Sequence, residues 1–391
     1  MGTNLPRGNW NYPTAVRFGW NRITELPDHC RDLGMKRPLV VTDPGLAGLP
    51  MVAELVARNE AAGLSTAVFS AIKANPNGRN VTDGVEAFRA HSADGVIAFG
   101  GGSALDAGKA VALMVGQDRP LWDFEDKDDW WTRVKVEGIA PCIAVPTTSG
   151  TGSEVGRCSV ITDEVEHVKK LIFHPRVQPP RVLCDPALTV GLPAHLTAWT
   201  GMDALSHNLE AYCAPGYHPQ ADGIAMEGIR LVQQSLITAV QRGEDGAARS
   251  DMMAASLMGA SAFQKGLGGM HAMSHPIGAV LDAQHGLTNA IVMPYVLAFN
   301  RSFIEARLAR QARMMDLPGH SFDSFLQWVL DLRQTVGIPH TLAAVGVTVD
   351  HIPLLARMAT EDPSAGGNPR LFDLEAATTL FHMALEGRLE A

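Results

Sequence analysis

The chain has 391 residues, 46% hydrophobic and 19% charged, with 38 Gly, 24 Pro and a net charge of −9. That length exceeds one ordinary core and predicts two domains. The acidic balance, with no Lys/Arg cluster, argues against nucleic acid or an anionic membrane surface as partner.

No window reaches the roughly 18 apolar residues of a membrane span, and the stretch Met1-Gly-Thr-Asn-Leu-Pro-Arg-Gly8 has no apolar signal core. Five scattered cysteines (Cys30, Cys142, Cys158, Cys184, Cys213) form no CxxC pair, so the expected setting is a reducing cytoplasm.

Taken in order, Thr14–Gly19 alternates like a first strand, and Ile23, Leu26, Cys30 and Leu33 recur at helical spacing up to Gly34. Pro38–Asp43 reads as a buried parallel strand feeding the loop Asp43-Pro-Gly45. Val52 to Ala62 predicts a helix, Thr66–Ser70 a strand, and Val81 to Phe88 another helix. Gly95-Val-Ile-Ala-Phe-Gly-Gly-Gly-Ser103 is a strand running into three glycines and a serine, followed by a strong helix former from Ala104 to Val115. Strand, glycine turn and helix is the geometry in which backbone N–H groups and a helix N-terminus hold a phosphate. Pro141–Pro146 is a further strand, opening onto Thr147-Thr-Ser-Gly-Thr-Gly-Ser-Glu154, and Arg181–Asp185 is the last. Alternating strands and helices predict a parallel sheet.

Beyond Pro193 only helical periods follow: Trp199 to Tyr212, Ile224 to Val240, Met252 to Phe263, and onward to the end. The expected boundary lies near residue 188, with an α/β part over 1–188 and an all-helical part over 189–391.

The stretch from Gly268 to Gly286 carries His271, His275 and His285 in small, apolar company. His271 and His275 are four apart and project from one helical face. Asp203 and His207 form a second i, i+4 pair; off the apolar stripe, they read by themselves as a solvated face. An Asp with two or three imidazoles is nonetheless a workable set for Fe²⁺ or Zn²⁺. The other histidines (His29, His91, His167, His174, His195, His218, His320, His340, His351, His382) show no clustering and read as surface or satisfied packing residues. Trp122 to Trp131, with its five carboxylates, reads as a solvated acidic loop. Gly100–Ser103 alone is explained equally by a tight βα turn, and it is not GxGxxG. The threonine loop strengthens it, because open α/β sheets bind ligands at the carboxyl ends of their strands. Asp43, also at a strand end, is either a ribose partner or a turn aspartate.

Together these motifs resemble the iron-containing (group III) alcohol dehydrogenases, a family that includes lactaldehyde reductase and propanediol dehydrogenase. The likeness runs through Val41-Thr-Asp43, Asp94–Ser103, Pro146–Glu154, Asp185-Pro186, Gly201-Met-Asp-Ala-Leu-Ser-His207, His271-Ala-Met-Ser-His275-Pro, His285-Gly286 and Gly367-Asn-Pro-Arg370. It implies a Rossmann-like N-terminal domain and a C-terminal helical domain of the dehydroquinate synthase-like kind, with the active site in the cleft between them. It implies Asp203, His207, His271 and His285 as metal ligands and His275 as a non-ligand histidine that relays protons. It implies cofactor contacts at Gly101, Gly102, Ser103, Thr147, Thr148, Thr151 and Lys169. An acid at Asp43 faces the adenosine ribose, favouring NAD over NADP. The expected metal is Fe²⁺, with Zn²⁺ as the second candidate, the expected substrate a small primary alcohol, diol or hydroxy acid or the corresponding aldehyde, and the expected assembly a homodimer or larger homo-oligomer.

Two departures bear on the substrate pocket. Cys158 stands where lactaldehyde reductase has asparagine, and the stretch from Phe263 to His271, which contains Leu267, is one residue shorter than its usual form. The rival readings are a metal- and NAD-dependent lyase or cyclase of the dehydroquinate synthase type, and a metallohydrolase. The latter is weakened because the residues between His271 and His275 are Ala-Met-Ser, with no glutamate to act as base.

Overall fold

The computed structural model describes residues 14–166 and 168–390. The signal-segment reading of Met1–Gly8 and the surface reading of His167 therefore lie outside the described residues. The chain divides into two compact units between Gly191 and Leu192; the boundary expected near residue 188 falls in the 3-10 turn Pro186–Thr189.

The strands of the first unit are β1 (Ala15–Phe18), β2 (Pro38–Val41), β3 (Ala67–Phe69), β4 (Gly95–Gly100), β5 (Cys142–Pro146), β6 (Cys158–Asp163), β7 (Val168–Phe173) and β8 (Arg181–Cys184). Its helices are α1 (Leu26–Asp32), α2 (Pro44–Ala47), α3 (Pro50–Ala61), α4 (Gly78–His91) and α5 (Gly102–Met114). Six strands form a parallel sheet in the order β1-β8-β5-β4-β2-β3. Every residue of β2, β4 and β5 is buried, as expected for parallel strands covered on both faces. α5 can lie flat on the sheet because residue 108 is glycine: a Cβ there would stand 2.6 Å from the Ala98 Cβ. The chain builds outward from β2 to β3 and then returns to place β4 on the other side of β2. The loops after β2 and β4 therefore flank the point where strand order reverses, where such sheets bind ligands.

Three local expectations are corrected. The antiparallel hairpin β6–β7 is absent from the sequence reading, which ran from β5 straight to β8. Its inward face carries Ser159, Ile161, Asp163, Lys170 and Ile172, so buried polar residues blur the apolar alternation. Lys170 Nζ lies 2.8 Å from Asp163 Oδ2 inside it. The acidic stretch 122–131 is not a free solvated loop. Leu121 and Phe124 are buried, the Asp126 N–H donates to the Leu171 carbonyl at 2.8 Å, and Glu125 bridges Ile172. Asp43-Pro-Gly45 opens helix α2, with Asp43 as its N-cap.

The second unit is helical: α6 (Ala194–Cys213), α7 (Pro219–Gln241), α8 (Gly246–Ala262), α9 (Gly269–Leu281), α10 (His285–Met314), α11 (Phe322–Thr335), α12 (Ile352–Glu361) and α13 (Leu374–Glu386). α6 is its axis, packed by α7, α8 and α10 and buried without interruption from Gly201 to Cys213. Small residues let the neighbours close in. A Cβ on Gly201 would lie 2.3 Å from Leu236, one on Gly228 would lie 2.1 Å from Asn208, and one on Gly259 would lie 2.9 Å from the His207 Cβ. This enclosure overturns the solvated-face reading of Asp203 and His207: the polar face of α6 is roofed by other helices.

Candidate metal centre and cofactor loops

The second unit brings Asp203, His207, His271 and His285 together, with one ligand atom from each and all four atoms within 4.8 Å of one another. Asp203 and His207 come from adjacent turns of α6 and are 2% and 5% exposed. His271 lies in the first turn of α9 and His285 is the first residue of α10. Pro276 does not end α9, which continues to Leu281. Gly286 explains how His285 reaches Asp203: a Cβ there would stand 2.4 Å from the Trp199 carbonyl oxygen and 3.0 Å from the Asp203 Cβ. Only glycine lets the start of α10 lie against α6.

The donor set fits a divalent first-row metal. The Glu210 Oε2 lies 2.6 Å from His271 Nδ1, while its Oε1 accepts the Met270 N–H at 2.6 Å. A buried carboxylate already accepting a backbone N–H takes the Nδ1 proton of His271 as donor and leaves Nε2 free as a ligand, the usual support for a metal-bound imidazole. Burial works against charging His271, but the carboxylates of Glu210, Asp203 and Asp362 outweigh it and hold its pKa above the ordinary value. Ser274 Oγ lies 3.3 Å from His285 Nδ1, turning that ring's Nε2 toward Asp203, 3.6 Å from Oδ1. The Asn289 amide nitrogen sits at the convergence, 2.9 Å from Asp203 Oδ1, 3.1 Å from His285 Nε2 and 3.3 Å from His271 Nε2.

His275 is near the four but not of them. Its ring stacks on His285 at 5.3 Å, with an interplanar angle of 11°, and meets His271 edge-on at 5.8 Å. Its Nδ1 is 2.8 Å from Asp362 Oδ2. Burial pushes Asp362 up, but His275 and the Ser364 N–H more than offset it and keep the carboxyl below its ordinary value. Leu267 is half-buried in the turn before α9.

In the first unit the glycine and threonine loops meet. A Cβ on Gly102 would lie 2.6 Å from Thr151 Cγ2, and one on Gly101 would lie 3.4 Å from the Thr148 side chain. Thr147 N–H donates to the Gly100 carbonyl at 3.0 Å, and Gly100 has φ +147°, a conformation that favours glycine. α5 starts with no side-chain cap, so its first N–H groups stay open to an anion. Ser103 Oγ donates to the Ala74 carbonyl. Asp43 caps α2 by accepting the Leu46 N–H at 3.0 Å, and its Oδ2 stands 3.6 Å from where a Gly100 Cβ would lie. Lys169 sits on β7 opposite Thr162, in the hairpin rather than in either loop.

Behind the threonine loop, Lys109 Nζ donates to the carbonyls of Ser153 at 2.8 Å and Cys158 at 2.6 Å and pairs with Asp106 at 3.1 Å. Asp106 in turn accepts the Val160 N–H at 3.1 Å. Glu154 is buried beside this group, and burial pushes its carboxyl up to about 7 against the opposing pull of Lys109. The Cys158 thiol is pushed up to about 11 by desolvation and is neutral at physiological pH.

Sequence reasoning missed Glu210, Asn289, Asp362 and Lys109. Glu210 was within reach, seven residues after Asp203 and three after His207 on one face of α6. Asn289 lies one turn after His285. Asp362 is 87 residues from His275, with no periodic signal to join them.

The first unit thus carries glycine- and threonine-rich loops at the switch point of its parallel sheet, and the second a cluster of one carboxylate and three imidazoles able to hold a metal ion. The family profile described as iron-containing alcohol dehydrogenase matches residues 13–186, and the profile of the C-terminal part of that family matches residues 197–385. Similar relatives include 4-hydroxybutyrate dehydrogenase of Cupriavidus necator, 37% identical with 96% of this chain and 98% of the relative covered. NAD-dependent methanol dehydrogenase of Bacillus methanolicus is 34% identical, with 96% and 100% covered. The solved structure of a 1,3-propanediol oxidoreductase superposes with a TM-score of 0.90 at 34% identity, with 97% of this chain and 100% of that chain covered. The chain belongs to the iron-containing alcohol dehydrogenase family. It is an oxidoreductase acting on alcohols, and the lyase alternative is not favoured.

Proposed function

We propose that the protein is an NAD-dependent dehydrogenase of a small primary alcohol, diol or hydroxy acid, reversible toward the aldehyde, using Fe²⁺ or else Zn²⁺ held by Asp203, His207, His271 and His285. The observation that carries the reading is the convergence of those four ligand atoms within 4.8 Å, supported by Glu210 behind His271. When bound, the metal supplies Lewis acidity toward the alcohol oxygen and the nicotinamide supplies the hydride acceptor.

The chain's own residues do the rest. Gly101, Gly102 and the open N-terminus of α5 bind the pyrophosphate, and Ser103, Thr147, Thr148, Thr151 and Lys169 complete the cofactor contacts. Asp43 accepts from a ribose hydroxyl and repels a 2′-phosphate, which favours NAD. His275, held by Asp362 and free of the ligand set, moves the proton between substrate and solvent. Cys158, a neutral thiol in the first unit, and Leu267 in the second are the residues proposed to contact the substrate.

No helix among the described residues is long and apolar enough to cross a membrane. The five free thiols support a cytoplasmic setting, and the family supports a homo-oligomer. The test is anaerobic purification with metal analysis, followed by NAD reduction across short primary alcohols and diols. Turnover with one of them is expected; metal present without turnover of any alcohol or aldehyde contradicts the reading.

A further inference from the structure

The chain leaves α12 at Glu361 and turns at Asp362, which caps the 3-10 turn Pro363–Gly367. Asp362 Oδ1 accepts the Ser364 N–H at 2.8 Å, and Oδ2 faces His275 Nδ1 at 2.8 Å. Six residues on, Asn368 Oδ1 accepts the Gly269 N–H at 3.2 Å, at the first residue of α9. Gly367 packs so tightly that a Cβ there would stand 2.0 Å from the Leu267 carbonyl oxygen. One short segment, residues 362–368, therefore grips the histidine helix at its start and again one and a half turns along.

The Asp362 side chain is only 11% exposed and that of His275 only 19%, so neither rotates freely into water. An ionised carboxylate has no proton to donate, and its contact with Nδ1 is satisfied only when the ring carries its proton there. In the neutral ring Nε2 is then left with a lone pair. We propose that Asp362 is the positioning residue of the reaction: it fixes the His275 ring and holds it as the Nδ1–H tautomer, so that Nε2 is the atom that receives the substrate's proton. This rests on the reading of His275 as the proton relay. As the alcohol O–H bond breaks, an Nε2–H bond forms, and the proton passes on to solvent; the nicotinamide is the oxidant.

Asp362→Asn separates this role from bracing. Asparagine keeps a good cap, with its oxygen on the Ser364 N–H, but turns an NH₂ donor toward Nδ1. The ring must then accept at Nδ1 and carry its proton on Nε2, the wrong tautomer for a base. The expected result is a fall in kcat of roughly 100-fold or more, with metal content and thermal midpoint retained. In a His275→Ala background the same change should cost nothing further, because the two residues act as one unit. Proton–nitrogen NMR of zinc-loaded, ¹⁵N-histidine-labelled protein should show the His275 proton move from Nδ1 to Nε2 in the variant.

A parental rate in Asp362→Asn, an unchanged tautomer, or an equal loss with and without His275 overturns the inference. A parent that oxidises no alcohol overturns the dehydrogenase reading instead, and a His275→Ala enzyme at full rate overturns the relay; either takes this inference with it.

Discussion

Glu210 and His271 are joined at 2.6 Å, carboxylate oxygen to Nδ1, with both side chains sealed from solvent. The contact fixes which nitrogen of the ring faces the cluster of ligand atoms, so the strength of metal binding depends on a residue outside the ligand set. Glu210→Ala should lower metal affinity by roughly 10–100-fold while the ligands stay in place. Competition with a chelator reads this directly. Unchanged affinity would show that His271 is oriented without Glu210.

Gly286 makes a second, purely steric prediction. An added methyl meets the Trp199 carbonyl oxygen at 2.4 Å and the Asp203 Cβ at 3.0 Å, and neither atom is the far end of a flexible side chain. Gly286→Ala should destabilise the helical unit by about 1–3 kcal/mol and weaken metal binding as His285 is pushed away from Asp203. Calorimetry of the metal-free protein isolates the packing cost.

At the cofactor loops, the Gly102 contact with Thr151 is between side-chain atoms on one side, so it is repairable. Gly102→Ala should raise the KM for NAD on the order of tenfold, since small displacements of a bound reactant are costly, and leave metal content alone. Gly102→Ala with Thr151→Ser, which removes the Cγ2 at 2.6 Å and keeps the hydroxyl, should recover part of that loss. No recovery would place the effect elsewhere in the loop.

Glu154 predicts a pH dependence. Its folded pKa is raised, to about 7, above the ordinary carboxyl value, so the folded chain holds a proton that the unfolded chain has released. Stability therefore falls as pH rises from the ordinary carboxyl range through about 7, by on the order of 3 kcal/mol. Glu154→Gln removes that dependence. Unfolding midpoints at pH 5 and pH 8.5 should converge in the variant relative to the parent; parallel behaviour of the two proteins would mean that Lys109 keeps Glu154 charged.

Much of this fold was legible because its signals are local. Buried strands such as Val96–Phe99 read as apolar runs, and the glycines after them as turns. The hairpin β6–β7 was not legible, because Asp163 and Lys170 pair inside it and break the apolar alternation. The cluster of Asp203, His207, His271 and His285 draws on one i, i+4 pair and two separated histidines, yet the pattern alone placed Asp203 and His207 on a solvated face. Periodicity records a residue's own helix and not what covers it; α8 and α10 do the covering. Asp362 was invisible for a related reason: a carboxylate 87 residues from its histidine leaves no spacing to recognise.

In the proposed function, Asp203, His207, His271 and His285 hold the metal on which alcohol oxidation depends, with His275 outside the set. The most direct measurement is metal content and alcohol-dependent NAD reduction, on the same anaerobic preparations, for the parent and the five single alanine variants. The four ligand variants should lose metal and activity together, while His275→Ala keeps its metal and loses mainly rate. Full metal occupancy in any of the four, or loss of metal in His275→Ala, would contradict it.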